Sequence, residues 1–219
     1  MVRVELAEEG PEVADGFFVR YGRWTAQDVL AELPETARVT VEVLDGSLVV
    51  SPRRSLRHQT LVLELGIALK RVARAAGYGT HPHVKIVIGE ELVCPDLTVA
   101  TRLGEDTSCV DAEEVVLIAD LVLGRAERSE RLTRARVYAE GKIGYYLRVE
   151  LPEDDPRVTL YELVDDEYRR VALASAGARF AMLRPFPFDL DPTTLVGRGR
   201  AAAVVEVPPQ RGVRLDPAS

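Results

Sequence analysis

The sequence predicts an α/β protein of the α+β kind, with a mixed central β-sheet flanked by helices. Residues 39–50 form two apolar runs around an Asp-Gly pair, which is typical of a β-hairpin. Apolar residues recur at helical spacing over residues 55–76, and residues 115–123 are almost uninterruptedly apolar, as in a strand covered on both faces. The order of hairpin, helix, hairpin, strand, helix and strand indicates a mixed sheet with helices on its faces.

The first half of the chain contributes three further elements. Thr25 is predicted to cap a short helix that Pro34 ends. Strands are expected at residues 84–88 and 92–100, the second interrupted by Pro95. The interruption places any acid that follows the proline near an irregularity of the sheet.

The second half continues with a helix and a group of strands. The charged segment 125–140 carries apolar residues on one side, so it is predicted to be a helix that Gly141 ends. Strands are expected at residues 143–149, 158–164 and 168–173, with a closing strand and turn at 186–192. Asp165-Asp166 is predicted to form the turn between the strands at 158–164 and 168–173.

The chain is long enough for one complete domain. Its 219 residues are 47% hydrophobic, which suffices for a full core. Residues 21–207 are predicted to form a single domain, after a flexible leader at 1–20 and before a disordered, proline-rich tail at 208–219. The leader lacks the basic head and apolar run of a secretory signal.

Composition limits the classes of function. A net charge of −7 argues against a protein that coats DNA non-specifically, but a carboxylate site is itself acidic, so a nuclease is compatible with it. Two cysteines without zinc-finger spacing predict neither a disulfide framework nor a thiolate metal site, and favour the reducing cytoplasm. No stretch approaches the ~20 apolar residues of a membrane span, so no membrane partner is expected.

Two aspartates stand out in apolar surroundings. Asp96 follows Pro95, and Asp120 interrupts the apolar run 115–123. A lone acid in such a strand is costly to bury unless it is paired or coordinated. If the two strands are neighbours, both carboxylates meet at one end of the sheet and attract a hard cation such as Mg²⁺ or Mn²⁺.

An ordered series of motifs resembles the Uma-two family of restriction endonucleases, within the PD-(D/E)XK nuclease superfamily, over roughly residues 22–195. The series is VEVLDGSLVVSP (residues 41–52), SLRHQ (55–59) at the start of the long helix, CPDL (94–97), the apolar strand with Asp120, and YAEGKIGYY (138–146). The resemblance implies a restriction-endonuclease-like fold and Mg²⁺-dependent hydrolysis of phosphodiester bonds in DNA. Because many nucleases of this type dimerise to cut both strands, it also implies a homodimer.

The resemblance assigns a role to five residues. Glu42 corresponds to the upstream acid, His58 to a polar residue on the long helix that faces the site, and Asp96 to the aspartate of the Pro-Asp motif. Asp120 stands where the family usually has glutamate, and Arg134 where it usually has a lysine on the following helix. All five are candidate catalytic residues, with Asp96, Asp120 and Glu42 as the metal ligands.

Two departures from the family pattern leave a second class of function open. Residues 122–125 replace a Ser-Pro-Ser-like segment, and Arg134 cannot donate a proton from a lowered pKa as lysine can. An arginine still stabilises a phosphate transition state electrostatically. The alternative is a catalytically inactive relative that keeps the fold as a module for binding nucleic acid or protein.

Structural explanations compete with the functional ones for each residue. The structural alternatives are a turn-forming aspartate for Asp96, a satisfied ion pair for Asp120, a solvent-facing strand residue for Glu42, a core or helix-capping histidine for His58, and a solvated helix face for Arg134. The other basic or metal-ligating candidates are His81 and His83, which alternate around Pro82, and Lys85 and Lys142, as substitutes for the family lysine.

Overall fold

A computed structural model gives the structure of the protein. It describes residues 22–33, 39–52, 54–101, 103–104, 107, 109–123, 128–151 and 155–196. The predicted leader (1–20) and tail (208–219), Pro34 and residues 124–127 lie outside these described residues.

Three α-helices and thirteen β-strands make up the described part of the chain. The helices are α1 (Ala26–Glu32), α2 (Leu56–Ala75) and α3 (Arg128–Glu140). The first seven strands are β1 (Val39–Leu44), β2 (Ser47–Pro52), β3 (Gly79–Pro82), β4 (Lys85–Ile88), β5 (Glu91–Val93), β6 (Leu97–Ala100) and β7 (Cys109–Asp111). The others are β8 (Val115–Leu123), β9 (Tyr145–Leu151), β10 (Arg157–Val164), β11 (Glu167–Ser175), β12 (Phe180–Met182) and β13 (Phe188–Leu190).

The strands form two mixed sheets and a small ribbon, which confirms the predicted fold class. Sheet I has the order β2-β1-β5-β4-β7, and sheet II has the order β11-β10-β9-β8-β6-β3. Each contains one parallel pair, β4 with β7 and β8 with β9, among antiparallel neighbours. The ribbon pairs β12 with β13.

Local patterns located most elements correctly. Thr25 caps α1 in a reciprocal capping box with Asp28, and β1 and β2 pair in register across the Asp45-Gly46 turn, whose two residues have positive φ. The long helix ends before Gly77, whose φ of 92° favours glycine at a helix end. Strand β8 has the predicted bounds, and β9 begins at Tyr145, two residues later than predicted.

The chain changes sheets where one strand, residues 92–100, was predicted. Strand β5 pairs with β1 and β4 in sheet I, whereas β6 pairs with β3 and β8 in sheet II. Pro95 lies in the crossing, where its lack of a backbone N–H costs no ladder hydrogen bond. This crossing carries Asp96 to the junction of the two sheets.

Strand β8 is the central strand that its apolar sequence predicted. Leu117, Ala119 and Leu121 face one side and pack with Leu65 and Leu69 of α2. On the other side Ile118 packs in a second cluster that includes Val137 and Tyr138 of α3 and residues of sheet I. Asp120 shares the direction of Ile118, because side chains alternate along a strand, so it points towards α3 and sheet I. Among the described residues no helix combines the length and apolar character needed to cross a membrane.

Candidate active site

A cavity of about 220 Å³ lies at the junction of the two sheets. Its walls come from the segment before α2, the first turn of α2, the crossing between β5 and β6, the second half of β8, the middle of α3 and the start of β9. The described lining residues are Arg54, His58, Cys94, Asp96, Asp120, Leu121, Val122, Leu123, Arg134 and Tyr146. Four of the five predicted catalytic residues are in this set.

Asp96 is held from two sides. Its Oδ1 lies 2.7 Å from His58 Nε2, and its Oδ2 accepts a hydrogen bond of 2.7 Å from the backbone N–H of Leu121. Ser55 caps α2 and accepts from the His58 backbone N–H, which fixes the first turn that carries the histidine. Burial opposes ionisation of Asp96, but the hydrogen bond and charge of His58 outweigh it and keep the pKa of Asp96 below its ordinary value.

Asp120 shares the cavity with Asp96. The Tyr138 hydroxyl donates to Asp120 Oδ2 at 3.0 Å. Burial raises the pKa of Asp120 to about 6; the positive charge of Arg134 opposes this shift, and the negative charge of Asp96 adds to it. The negative charges of the two carboxylates therefore repel each other, and a bound cation would relieve that repulsion.

Glu42 and Arg134 form a buried, bidentate ion pair. The distances are 2.9 Å between Nη1 and Oε1 and 2.5 Å between Nη2 and Oε2, and the residues are 1% and 7% exposed. The backbone N–H of Cys94 also donates to Glu42 Oε1, at 2.7 Å. Glu42 is thus neither a solvent-facing strand residue nor a member of the described cavity lining; it holds the arginine from behind. Arg134 is a buried residue and does not lie on a solvated helix face.

The remaining sequence candidates lie away from the cavity lining. Lys142 pairs with Asp166 at an exposed surface. His81 lies over Gly79, where the His81 Nε2 atom occupies the space that a Cβ would take. His83 is not in the described lining, although its backbone N–H donates to the Asp96 carbonyl at 3.3 Å and its carbonyl accepts from the Cys94 thiol at 3.3 Å. Lys85 belongs to β4 of sheet I and is not in the described lining either.

Sequence reasoning missed Tyr138 and Arg54. Tyr138 connects the two halves of the site, because its hydroxyl donates to Asp120 and lies 3.4 Å from Arg134 Nη1. A signal was available for Tyr138, since it follows Arg134 by four residues and so shares its helix face. No such signal existed for Arg54, which lies on the segment between β2 and α2 and reaches the cavity only through the fold.

The donor set fits one hydrated magnesium ion. Within the described part of the chain no three or more His, Cys, Asp or Glu side chains are grouped to hold a metal ion. Mg²⁺ needs less than that, because it keeps several waters and often takes only one or two protein carboxylates. Asp96 and Asp120 supply two such carboxylates, each oxygen of which has more than one lone pair. Glu42 differs from them because it is not among the described lining residues and both of its oxygens accept from Arg134.

Removing the Tyr138 hydroxyl tests its bridging role. Tyr138→Phe keeps the ring packing and deletes the donor to Asp120, so we expect a loss of about 1–2 kcal/mol in the free energy of unfolding. Tyr145→Phe is the matched control, because the Tyr145 hydroxyl contacts Glu162 at 3.2 Å in a less buried place. Urea unfolding measures both. Equal losses in the two variants would contradict a special role for Tyr138.

Comparisons with known proteins identify the family and the fold. The Uma2 family model, described as "Putative restriction endonuclease", matches residues 26–195. A crystal structure titled as a putative nuclease belonging to DUF820 from Anabaena variabilis superposes with a TM-score of 0.57, covering 78% of this chain and 97% of that one at 13% identity. At this identity the match shows a shared fold. No curated protein matches the sequence. The family model spans well over half of the chain and confirms the resemblance seen in its motifs: the chain belongs to the Uma2 family of putative restriction endonucleases.

Proposed function

We propose that this protein is a Mg²⁺-dependent endonuclease that hydrolyses phosphodiester bonds of DNA, with Mn²⁺ as an alternative ion. The observation that carries the proposal is the meeting of Asp96 and Asp120 in one cavity, from two separate parts of the chain. Membership of a restriction-endonuclease family supports the reaction class. Glu42 enters the proposal as the acid that holds Arg134 and not as a metal ligand.

Asp96 and Asp120 would hold the ion in this proposal. The ion would supply Lewis-acid activation of a water molecule and neutralisation of charge on the phosphodiester. His58 and the Leu121 N–H orient the Asp96 carboxylate, and Tyr138 orients that of Asp120. These contacts fix the geometry of both carboxylates before substrate arrives, which lowers the cost of organising the site.

Arg134 supplies positive charge at the inner wall of the cavity. Its guanidinium remains protonated, so its contribution is electrostatic and not a proton transfer. The bidentate contact with Glu42 fixes its position relative to Asp120. Because Glu42 partly neutralises the charge of Arg134, the arginine attracts a phosphate less strongly. This weakening favours a second candidate function.

The second candidate is an inactive nuclease-fold module that binds nucleic acid or protein. It is favoured by the Glu42–Arg134 pair, which removes one acid from metal binding and offsets the charge of the arginine. The two candidates predict different results with divalent ions. The enzyme needs the divalent ion to cleave DNA, whereas the module binds its partner without cleaving it.

Plasmid nicking tests the proposed function. Purified protein with Mg²⁺ or Mn²⁺ is expected to convert supercoiled plasmid to the open-circular form, and EDTA is expected to stop the conversion, because both the nucleophile and the charge neutralisation are lost with the ion. Agarose gels follow the reaction. Conversion that persists in EDTA, or none with either ion, would contradict the proposal.

Thermal unfolding tests the metal site separately. At about 100-fold excess over its dissociation constant, Mg²⁺ should stabilise the folded protein by roughly 2.7 kcal/mol, which for a chain of this size raises Tm by about 5–10 °C. Asp96→Asn and Asp120→Asn should abolish this rise. Asp111→Asn removes an exposed acid of β7 and should retain it. Stabilisation that survives in both site variants would place the ion elsewhere.

The proposed enzyme is assigned to the cytoplasm, where its cysteines stay reduced. Cys94 and Cys109 are both free thiols, and burial raises the pKa of Cys94 to about 12, which leaves it a poor nucleophile. A homodimer, expected for cutting both strands, stays a prediction, and analytical ultracentrifugation checks it.

A further inference from the structure

The negative charge in and around the cavity repels any phosphodiester substrate. The chain carries a net charge of −7, and two carboxylates lie within the cavity itself. A DNA backbone approaches such a surface only where a basic side chain neutralises a phosphate. Among the described residues, those lining the cavity include three with basic side chains, Arg54, His58 and Arg134.

Two of these three are committed to internal partners. His58 Nε2 is in contact with Asp96 Oδ1 at 2.7 Å, and the histidine is 3% exposed. Arg134 donates from both terminal nitrogens to Glu42 and is 7% exposed. Moving either side chain onto a phosphate would leave a buried carboxylate without its partner, which is strongly unfavourable.

Arg54 differs from both in position and exposure. It is exposed and directly precedes Ser55, the cap of α2. Its carbonyl accepts a hydrogen bond of 2.8 Å from Gln59 Nε2, which ties the segment to the first turn of the helix. Arg54 also lines the cavity that holds Asp96 and Asp120.

We propose that Arg54 binds a backbone phosphate of the nucleic acid at the mouth of the cavity and so places the phosphodiester over Asp96 and Asp120, a role that rests on the proposed function. A guanidinium suits this task, because its planar fork makes two parallel hydrogen bonds to one phosphate and is always charged. The arginine offsets the repulsion between the phosphate and the two acids. The exposed Arg54 then binds the substrate phosphate, and Arg134 remains paired with Glu42.

Fluorescence anisotropy with a labelled duplex DNA tests this role. EDTA in the buffer prevents cleavage, so the measurements report binding alone. Arg54→Ala should weaken binding about tenfold at low salt and reduce the slope of log affinity against log salt by about one, because one phosphate contact is lost. Arg54→Lys should recover part of the affinity, since it restores the charge without the fork.

Arg71→Ala is the matched control. It removes the same charge from an exposed position on α2, about 25 Å further along the helix. This variant should bind like the parent protein. Polyglutamate as competitor separates phosphate recognition from attraction to any polyanion, and we expect it to displace the duplex poorly.

Several results would overturn the inference: no binding of the duplex by the parent protein, an unchanged affinity and salt slope in Arg54→Ala, an equal loss in Arg71→Ala, or efficient displacement by polyglutamate. The inference and the proposed function fail separately. If the protein nicks plasmid but its affinity for DNA does not depend on Arg54, only the role of Arg54 is refuted. Binding that depends on Arg54 without any nicking removes the proposed cleavage and keeps Arg54 as a phosphate-binding residue.

Discussion

Asp120→Asn is expected to lower the rate of plasmid nicking at least about a hundredfold while leaving Tm in EDTA unchanged or higher. The loss of rate follows from removing one of two carboxylates that would hold the metal, whose contribution to a phosphoryl transition state is several kcal/mol. Initial rates of nicking and thermal unfolding of the same preparation measure the two effects.

The expected stability follows from the buried charge. Burial raises the pKa of Asp120 to about 6 in the folded protein, above its value in the unfolded chain. At pH 7 the ionised carboxylate therefore favours the unfolded state, and its contribution to stability recovers only as the pH falls through that pKa. Asparagine has no charge to bury, and its carbonyl still accepts from the Tyr138 hydroxyl.

This combination separates a site residue from a structural one. A residue needed only for folding would lose activity together with Tm. Asp96→Asn serves as a comparison, because it should also lose activity but should lower Tm, since it weakens the contact with His58. Asp111→Asn should retain both properties. A rate for Asp120→Asn within about threefold of the parent rate would refute its role in metal binding.

Glu42→Gln is expected to produce the largest loss of stability. The substitution leaves the Arg134 guanidinium buried beside a neutral amide, and removing one partner of a buried ion pair typically costs about 3–5 kcal/mol. For a chain of this size that corresponds to a fall in Tm of roughly 10 °C. Differential scanning calorimetry measures it.

A double-mutant cycle isolates the pair. Glu42→Gln combined with Arg134→Gln should be less destabilised than the sum of the two single variants, because neither charge is then left alone. The exposed pair Arg179–Asp189 is the control; its side chains are 75% and 50% exposed, and its loss should cost less than about 1 kcal/mol. Additive losses in the buried cycle would show that the two residues act independently.

Elements with strong local signals were predictable, and three short strands without such a signal were not. The Asp-Gly hairpin, the capped helix α1, the long helix α2 and the apolar strand β8 follow from turn chemistry, capping and periodicity. Strands β3, β7 and β12 have three or four residues each, too few for a period to register, and they exist because neighbouring strands pair with them. The passage of the chain from sheet I to sheet II was equally invisible, since both flanks of Pro95 are strand-like.

The sequence alone determined the family and the fold class, through its ordered motifs and its hydrophobic periodicity. It also predicted Asp120 as a site residue, because an aspartate inside an apolar strand must be paired or coordinated whatever surrounds it. Only the tertiary structure decided how the charges are distributed. It pairs Glu42 with Arg134, which lie on two distant elements. It also places His58 in contact with Asp96 and makes Arg54 a lining residue of the cavity. Such pairings depend on distances between residues far apart in the chain, and no local pattern encodes those distances.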